Sequence, residues 1–177
     1  MSIKDININI VLVVILIVVI GFFAGKYLFN VYGVKQPLTT ELNTINGVEK
    51  VELIENNDQT DIKVYLESKV DFQKTFMQIS QISGKELGVE KGNIIVGSNN
   101  NTYLDQMFYK IHLAIYEGIS TNRFTVMKNN IEKSLSNSDI DYKLWVNNEN
   151  VLLRLDGKGE SLYRILSRNN KGGVDSG

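Results

Sequence analysis

An uncharged stretch near the N-terminus constrains this chain more than any other feature. No residue from Ile6 to Gly25 is charged, and from Ile10 to Gly25 every residue is apolar or glycine. A helix of about 20 residues, rising 1.5 Å per residue, covers the roughly 30 Å of bilayer hydrocarbon. The sequence therefore predicts a single N-terminal transmembrane helix, an anchor over residues 1–30 and a lipid bilayer as a partner.

A cleaved signal peptide is the alternative for this stretch. The apolar run is longer than the 7–15 residues typical of signal peptides, and no A-x-A-like cleavage site lies after it, so we expect an uncleaved anchor. Lys26 and Lys35 follow the span, and a count of lysines alone would keep the larger part in the cytoplasm. Short-tailed anchors often export the domain that they carry, so we expect a single-pass protein of the cell membrane with an extracytoplasmic soluble part. Gly21 and Gly25 form a G-x-x-x-G pair that could bring two membrane helices close together.

The chain after the anchor alternates helical and strand patterns and predicts an α+β fold. Leu38, Leu42 and Ile45 have helical spacing, and two alternating runs come next, VEKVELIE and DIKVYLE. An asparagine-rich turn between the runs predicts a β-hairpin in which Leu53 lies opposite Ile62. The same register places Val51 opposite Val64 and Glu52 opposite Lys63. A helix carrying Phe72, Phe76, Ile79 and Ile82 and a short strand near Asn93–Val96 complete an α-β-β-α-β module over 38–97.

A polar segment from Ser98 to Thr102 separates this module from a second one, over 103–168. The second module is predicted to begin with a helix from about Tyr103 to Gly118 and another from about Thr121, capped by Thr121 or Asn122. A second hairpin and a helix from Glu160 to Ser167 come after these. The polar, glycine-rich tail over 169–177 is predicted to be disordered. Both modules are expected to pack a β-hairpin on helices. The segments 38–84 and 121–168 share the order helix, strand, asparagine-rich turn, strand, helix, which resembles a degenerate duplication.

The second hairpin has two different faces. One register makes one face wholly apolar, pairing Val146 with Val151, Leu144 with Leu153 and Tyr142 with Leu155. The other face carries Trp145 beside Leu152, then Lys143 beside Arg154 and Asp141 beside Asp156. Like charges opposite each other are unfavourable, so we expect a group outside the hairpin to offset them.

Large apolar residues on the mixed faces of both hairpins are the candidate protein contacts. Trp145 and Leu152 point away from the apolar face of the second hairpin, and such residues often mark a contact site. The alternative is that the 103–118 helix covers them. Ile54 and Tyr65 hold the matching positions on the first hairpin.

Composition argues against most kinds of chemistry. The chain has no cysteine, one histidine and a formal net charge of −1. It therefore lacks thiolate metal sites and the basic excess of a nucleic-acid binder. His112 has no neighbouring nucleophile or metal pair and is interpreted as a packing residue. No glycine pattern matches a phosphate loop. We expect no catalytic residue, no cofactor, no metal and no nucleic acid, and thus a protein that is not an enzyme.

The segment LTTELNTINGVEKVELIENNDQTDIKVYLE resembles, in its helix–strand–strand order, the ring-building motif of bacterial envelope machines. Small ferredoxin-like α-β-β-α-β modules of this kind occur in flagellar, injectisome and sporulation-channel ring proteins. The resemblance covers 38–97 and, more loosely, 121–168. It implies modules that pack side by side behind membrane anchors. The bias towards isoleucine, asparagine and lysine suits an AT-rich bacterial genome.

These patterns together predict a bitopic bacterial membrane protein that scaffolds an envelope assembly. Its partners would be membrane or envelope proteins, including itself. The alternative is a membrane-tethered sensor or ligand-binding module with a pocket between the two halves.

Overall fold

The computed structural model describes residues 8–28, 35–56, 59–87, 91–97 and 102–168. These residues form an α+β fold with five helices and two three-stranded sheets. In chain order the elements are α1 (Ile8–Leu28), α2 (Gln36–Asn43), β1 (Val48–Asn56), β2 (Gln59–Leu66), α3 (Phe72–Leu87), β3 (Lys91–Val96), α4 (Thr102–Thr121), α5 (Phe124–Leu135), β4 (Asp141–Val146), β5 (Asn150–Gly157) and β6 (Glu160–Ser167). The tail predicted to be disordered lies outside the described residues.

The N-terminal helix α1 does not support the predicted membrane anchor. Its large apolar side chains are exposed to solvent, by 39% at Val11 and 69% at Phe22. No helix among the described residues is both long enough and apolar enough to cross a membrane. The described side chains run unbroken from Ile10 to Lys26, about 25 Å of helix against roughly 30 Å of hydrocarbon. The predicted anchor over 1–30 and the single-pass cell-membrane localisation are therefore wrong on the described residues.

The first sheet is built by α2 to β3, in the order α-β-β-α-β. Strand β1 runs antiparallel to β2, and β3 returns through α3 to lie parallel to β2. The hairpin has the register predicted from the sequence, with Leu53 opposite Ile62 and Val51 opposite Val64. Glu52 also lies opposite Lys63, but its carboxylate accepts hydrogen bonds from Lys50 Nζ at 2.6 Å and Tyr65 Oη at 3.2 Å. The apolar sides of α2, α3 and the sheet form one core.

The second sheet is an antiparallel meander covered by α4 and α5. Strand β4 pairs with β5 in the predicted register, and β5 pairs with β6. The predicted helix from Glu160 to Ser167 is wrong, because this segment is strand β6. Lys158 and Gly159 both have positive φ, 53° and 83°, as a two-residue type I′ hairpin turn requires. This turn sends the chain straight back along β5.

Helix α5 begins later than the sequence predicts. Its first residue is Phe124, and Arg123 occupies the N-cap position without a side-chain capping bond. Thr121 instead belongs to α4, where its Oγ1 donates to the carbonyl oxygen of Glu117 at 2.7 Å. Asn122 has a φ of 54° and forms the bend between the helices. The predicted cap at Thr121 or Asn122 is therefore wrong.

Two helical glycines differ in what surrounds them and provide a test of the packing. A methyl group on Gly118 would lie 2.5 Å from Met127 Cβ, whereas one on Gly84 would meet nothing within 4 Å. We expect Gly118→Ala to destabilise the protein by about 1–3 kcal/mol, because α4 and α5 must separate. Gly84→Ala should stabilise it by about 0.5–1 kcal/mol through helix propensity. Urea unfolding measures both, and a stabilising Gly118→Ala would contradict the close α4–α5 approach.

Candidate interaction surfaces

The two sheets are joined by an apolar contact that uses the predicted contact residues of the second hairpin. We call α2 to β3 the first unit and α4 to β6 the second unit. Leu152 is 1% exposed and Tyr163 is 4% exposed, and both belong to the core of the first unit. The Trp145 and Tyr163 rings lie 6.4 Å and 5.0 Å from the ring of Phe72. Trp145 and Leu152 therefore contact the first unit of their own chain, a partner that the sequence alone did not suggest.

A buried ion pair lies beside this apolar contact. Arg154 Nε donates to Asp156 Oδ2 at 2.9 Å, and both side chains are less than a tenth exposed. Arg154 Nη1 also donates to the carbonyl oxygen of Val70 at 2.5 Å, and Ser161 Oγ donates to Asp156 Oδ1 at 2.5 Å. These bonds offset the like-charge pairs across β4 and β5, as expected from the sequence. Two of these groups lie outside the hairpin, the carbonyl of Val70 and the hydroxyl of Ser161.

Tyr163 and Ser161 bind the backbone of the segment that connects β2 to α3. Tyr163 Oη donates to the carbonyl oxygen of Glu67 at 2.7 Å and accepts the Val70 N–H at 3.1 Å. Ser161 Oγ accepts the N–H of Lys69 at 2.9 Å. Burial raises the pKa of Tyr163. We call this set of contacts the junction. On one side of it lie residues of the second sheet: Leu152, Arg154, Asp156, Ser161 and Tyr163. On the other side lie residues 67–71 and Phe72.

The predicted contact residues of the first hairpin lie on the side of the sheet opposite its core. Ile54 is 37% exposed, and Tyr65 is half-buried. The Tyr65 ring lies below two lysine ammonium groups, 5.7 Å from that of Lys50 and 5.3 Å from that of Lys63. The structure does not bring this pair together with Trp145 and Leu152. Ile54 and Tyr65 stay a predicted contact.

The two glycines of the N-terminal pair lie on the exposed helix α1. A methyl group on Gly21 or Gly25 would meet nothing within 4 Å. Their predicted role as a contact between transmembrane helices depended on the anchor, which the described residues do not support.

The described residues contain no group of histidine and acidic side chains that could hold a metal ion. His112 is the one histidine of the chain. Its Nδ1 lies 2.5 Å from the carbonyl oxygen of Tyr109, and its ring stacks on the Tyr109 ring at 4.8 Å. These contacts hold the imidazole against its own helix. The absence of catalysis stays a prediction.

Helix α4 has a second apolar face that sequence analysis missed. Leu104, Met107, Ile111, Ile115 and Gly118 are buried against the second sheet and α5. On the opposite side Tyr109, Leu113 and Tyr116 are 75%, 71% and 48% exposed. Their i, i+4, i+7 spacing is visible in the sequence and could have identified the stripe. We call Tyr109, Leu113 and Tyr116, with the flanking Lys110 and Glu117, the outer face of α4.

A cleft of about 680 Å³ adjoins the outer face of α4. Its lining residues are Thr102, Asp105, Gln106, Tyr109 and Lys110.

A second cleft, of about 460 Å³, lies between α5 and the edge strand β4. Its lining residues are Phe124, Thr125, Lys128, Glu132, Tyr142, Leu144 and Val146. Tyr142 Oη is buried there without a hydrogen-bond partner among the described residues. Three causes raise the pKa of Tyr142 to about 12: burial, then the negative charge of Glu132, then a contact of the hydroxyl with the Glu132 carboxylate that falls short of hydrogen-bond geometry. Both clefts lie within the second unit, not between the two halves.

A matched pair of tyrosines tests the junction. Tyr163→Phe removes the bonds to Glu67 and Val70 and should destabilise the protein by about 1–3 kcal/mol. Tyr142→Phe removes a hydroxyl that makes no hydrogen bond of good geometry among the described residues, and it should change the free energy of unfolding by less than about 0.5 kcal/mol. Urea denaturation of both variants provides the comparison. Equal losses would contradict the bonding described for Tyr163.

The raised pKa of Tyr142 predicts a loss of stability at high pH. A group whose pKa is higher in the folded state stabilises the fold fully below its unfolded value, here 10.0, and loses this contribution as pH rises towards about 12. The free energy of unfolding should therefore fall from about pH 10 to about pH 12, and fall less in Tyr142→Phe. Identical slopes in the two proteins would show that Tyr142 titrates normally.

Comparison with known proteins found no relative of this chain. No protein family matches it. No curated protein and no solved structure is similar to it either. The resemblance to ring-building modules therefore stays a prediction.

Proposed function

We propose that this protein is a non-enzymatic assembly module that pairs with a second copy of itself through the outer face of α4. The observation that carries the proposal is the exposure of Tyr109, Leu113 and Tyr116 on a helix whose other side is already buried. Large aromatic and aliphatic side chains grouped on one exposed face are typical of protein contact sites. This retains the protein-contact role expected from the sequence and does not depend on the predicted anchor.

The charges on this face favour a second copy as the partner. Lys110 precedes Leu113 by three residues, and Glu117 comes four residues after it. Neither side chain has an ion-pair partner among the salt bridges of the described residues. If two α4 helices pack antiparallel about a two-fold axis near Leu113, each Lys110 lies opposite Glu117 of the second copy. A face with this symmetry is complementary to itself, as a two-fold interface requires.

The shape of the surface supports the same arrangement. The 680 Å³ cleft adjoins Tyr109 and Lys110 at the N-terminal half of α4. In the antiparallel pairing this cleft faces the C-terminal turn of the second copy's α4. The ring of His112 stacks on Tyr109 and holds that side chain in place, so less conformational entropy is lost when the surfaces meet.

A ligand-binding module is the second candidate function. The observation that favours it is the cleft between α5 and β4, where Tyr142 Oη lacks a partner among the described residues. Its position differs from the pocket between the two halves that belonged to the alternative prediction from the sequence.

Disulfide trapping tests the self-pairing, because the chain has no cysteine of its own. We expect Leu113→Cys, near the two-fold axis, to form a disulfide-linked dimer under mild oxidation. The matched control is Met77→Cys on α3, which is 62% exposed and lies away from α4. Equal crosslinking of the two variants would indicate random collision and contradict the proposal.

Charge reversal provides the specific test of orientation. Lys110→Glu and Glu117→Lys should each weaken dimer formation by about tenfold, since like charges would then oppose each other. The double variant should restore it. Sedimentation equilibrium of the full chain gives the dimer dissociation constants. If the double variant does not regain the dissociation constant of the unsubstituted protein, the antiparallel pairing is excluded.

A further inference from the structure

We propose that the open edge of β4, with the cleft under α5, binds an extended peptide of another protein by adding it to the second sheet. The peptide would carry apolar side chains at alternate positions, an acidic residue at one end and a basic residue at the other. This surface is separate from the outer face of α4, and the inference does not depend on self-pairing.

The backbone of β4 is arranged to accept another strand. Among the described strands β4 pairs with β5 alone. The N–H of Asn147 donates to the carbonyl oxygen of Asn150 at 3.0 Å. Because bonding alternates along an antiparallel pair, Trp145 and Lys143 also turn their backbone groups towards β5. The backbone N–H and C=O groups of Tyr142, Leu144 and Val146 then point towards the open edge. These unpaired groups are a template for another strand.

The side chains of the same three residues form one wall of the cleft. Phe124, Thr125, Lys128 and Glu132 of α5 form the other wall. An added strand would direct every second side chain into the space between the strand and the helix. This combination of backbone pairing and pockets for alternate side chains is how peptides are recognised by strand addition.

Two buried donors without partners mark the two ends of this edge. Tyr142 Oη and Arg168 Nε lack hydrogen-bond partners among the described residues. The guanidinium of Arg168 lies 4.8 Å from the centre of the Phe124 ring, and its Nη1 donates to the carbonyl oxygen of Asn147. The Arg168 Nε–H can only donate, whereas the Tyr142 hydroxyl can donate or accept, so peptide carbonyl or carboxylate oxygens could satisfy both atoms.

The charges along the cleft specify the order of the peptide's charges. Arg168 lies at the Asn147 end of β4, whereas Glu132 and the exposed Asp141 lie at the Tyr142 end. Lys128 Nζ lies 3.5 Å from Glu132 Oε1 on the same helix, so these two charges largely neutralise each other. An acidic peptide residue is therefore favoured beside Arg168, and a basic one beside Asp141. A second copy of β4 is the competing occupant, and the exchange measurement below distinguishes it from a peptide.

Hydrogen exchange of the full chain tests the proposal. The probes are two fluorescein-labelled synthetic peptides of alternating valine and threonine, one with N-terminal aspartate and C-terminal lysine, the other with these reversed. We expect one of them to slow amide exchange at Tyr142, Leu144 and Val146 by about tenfold or more, and to leave Lys143 and Trp145 unchanged. Unaltered exchange at these three amides with both peptides at about 1 mM would overturn the proposal.

Two substitutions at Val146 separate backbone pairing from side-chain contact. Val146→Pro removes an outward N–H that makes no ladder bond, and proline is tolerated at such edge positions. Val146→Thr keeps the N–H and is the matched control. We expect the proline variant to bind the better peptide at least about tenfold more weakly, and the threonine variant to stay within about threefold.

The remaining outcomes also decide the question. Equal affinity of the two variants would place the peptide elsewhere and overturn strand addition. Slower exchange at the three amides on raising the protein concentration, with no peptide present, would assign the edge to a second copy and overturn the peptide proposal. Should Val146→Pro fail to fold by circular dichroism, the exchange measurement on the unsubstituted protein decides alone.

Discussion

The buried pair of Arg154 and Asp156 is the interaction on which the arrangement of the two sheets depends. Burying two charges costs more than their attraction returns unless further hydrogen bonds satisfy them. Here Ser161 donates to Asp156, and Arg154 donates to the carbonyl of Val70 on the other unit. The bond from Arg154 to Val70 therefore forms only while the two units stay together. The same contact lets Leu152 and Tyr163 complete the core of the first unit.

Because the junction uses one face of the second sheet and the helices α4 and α5 cover the other, two surfaces of the described second unit stay open to partners. These are the outer face of α4 and the β4 edge beside α5. They differ in kind: the first is a helical face complementary to itself, and the second is a row of unpaired backbone groups with a cleft beside it. A single chain could pair with its copy through one and hold an extended peptide in the other.

Local patterns predicted both hairpins and their registers, since a shift of one residue would turn Leu53 and Ile62, or Leu144 and Leu153, away from the core. They did not predict β6, because the apolar residues of Ser161–Leu166 are buried on both faces and show no clean alternation. They also predicted a membrane span at α1 from its apolar composition, which the described residues do not support. They did not predict that Trp145 contacts Phe72, because these two residues are distant in sequence. The exposed stripe on α4 was visible in the sequence, whereas the orphaned hydroxyl of Tyr142 depends on tertiary packing.

The central claim is that the junction makes the two units fold as one. Differential scanning calorimetry of the full chain tests it most directly, because a cooperative unit unfolds with equal calorimetric and van't Hoff enthalpies. The account predicts a single transition in which the two enthalpies agree. Two separate transitions, one for each sheet, would contradict it.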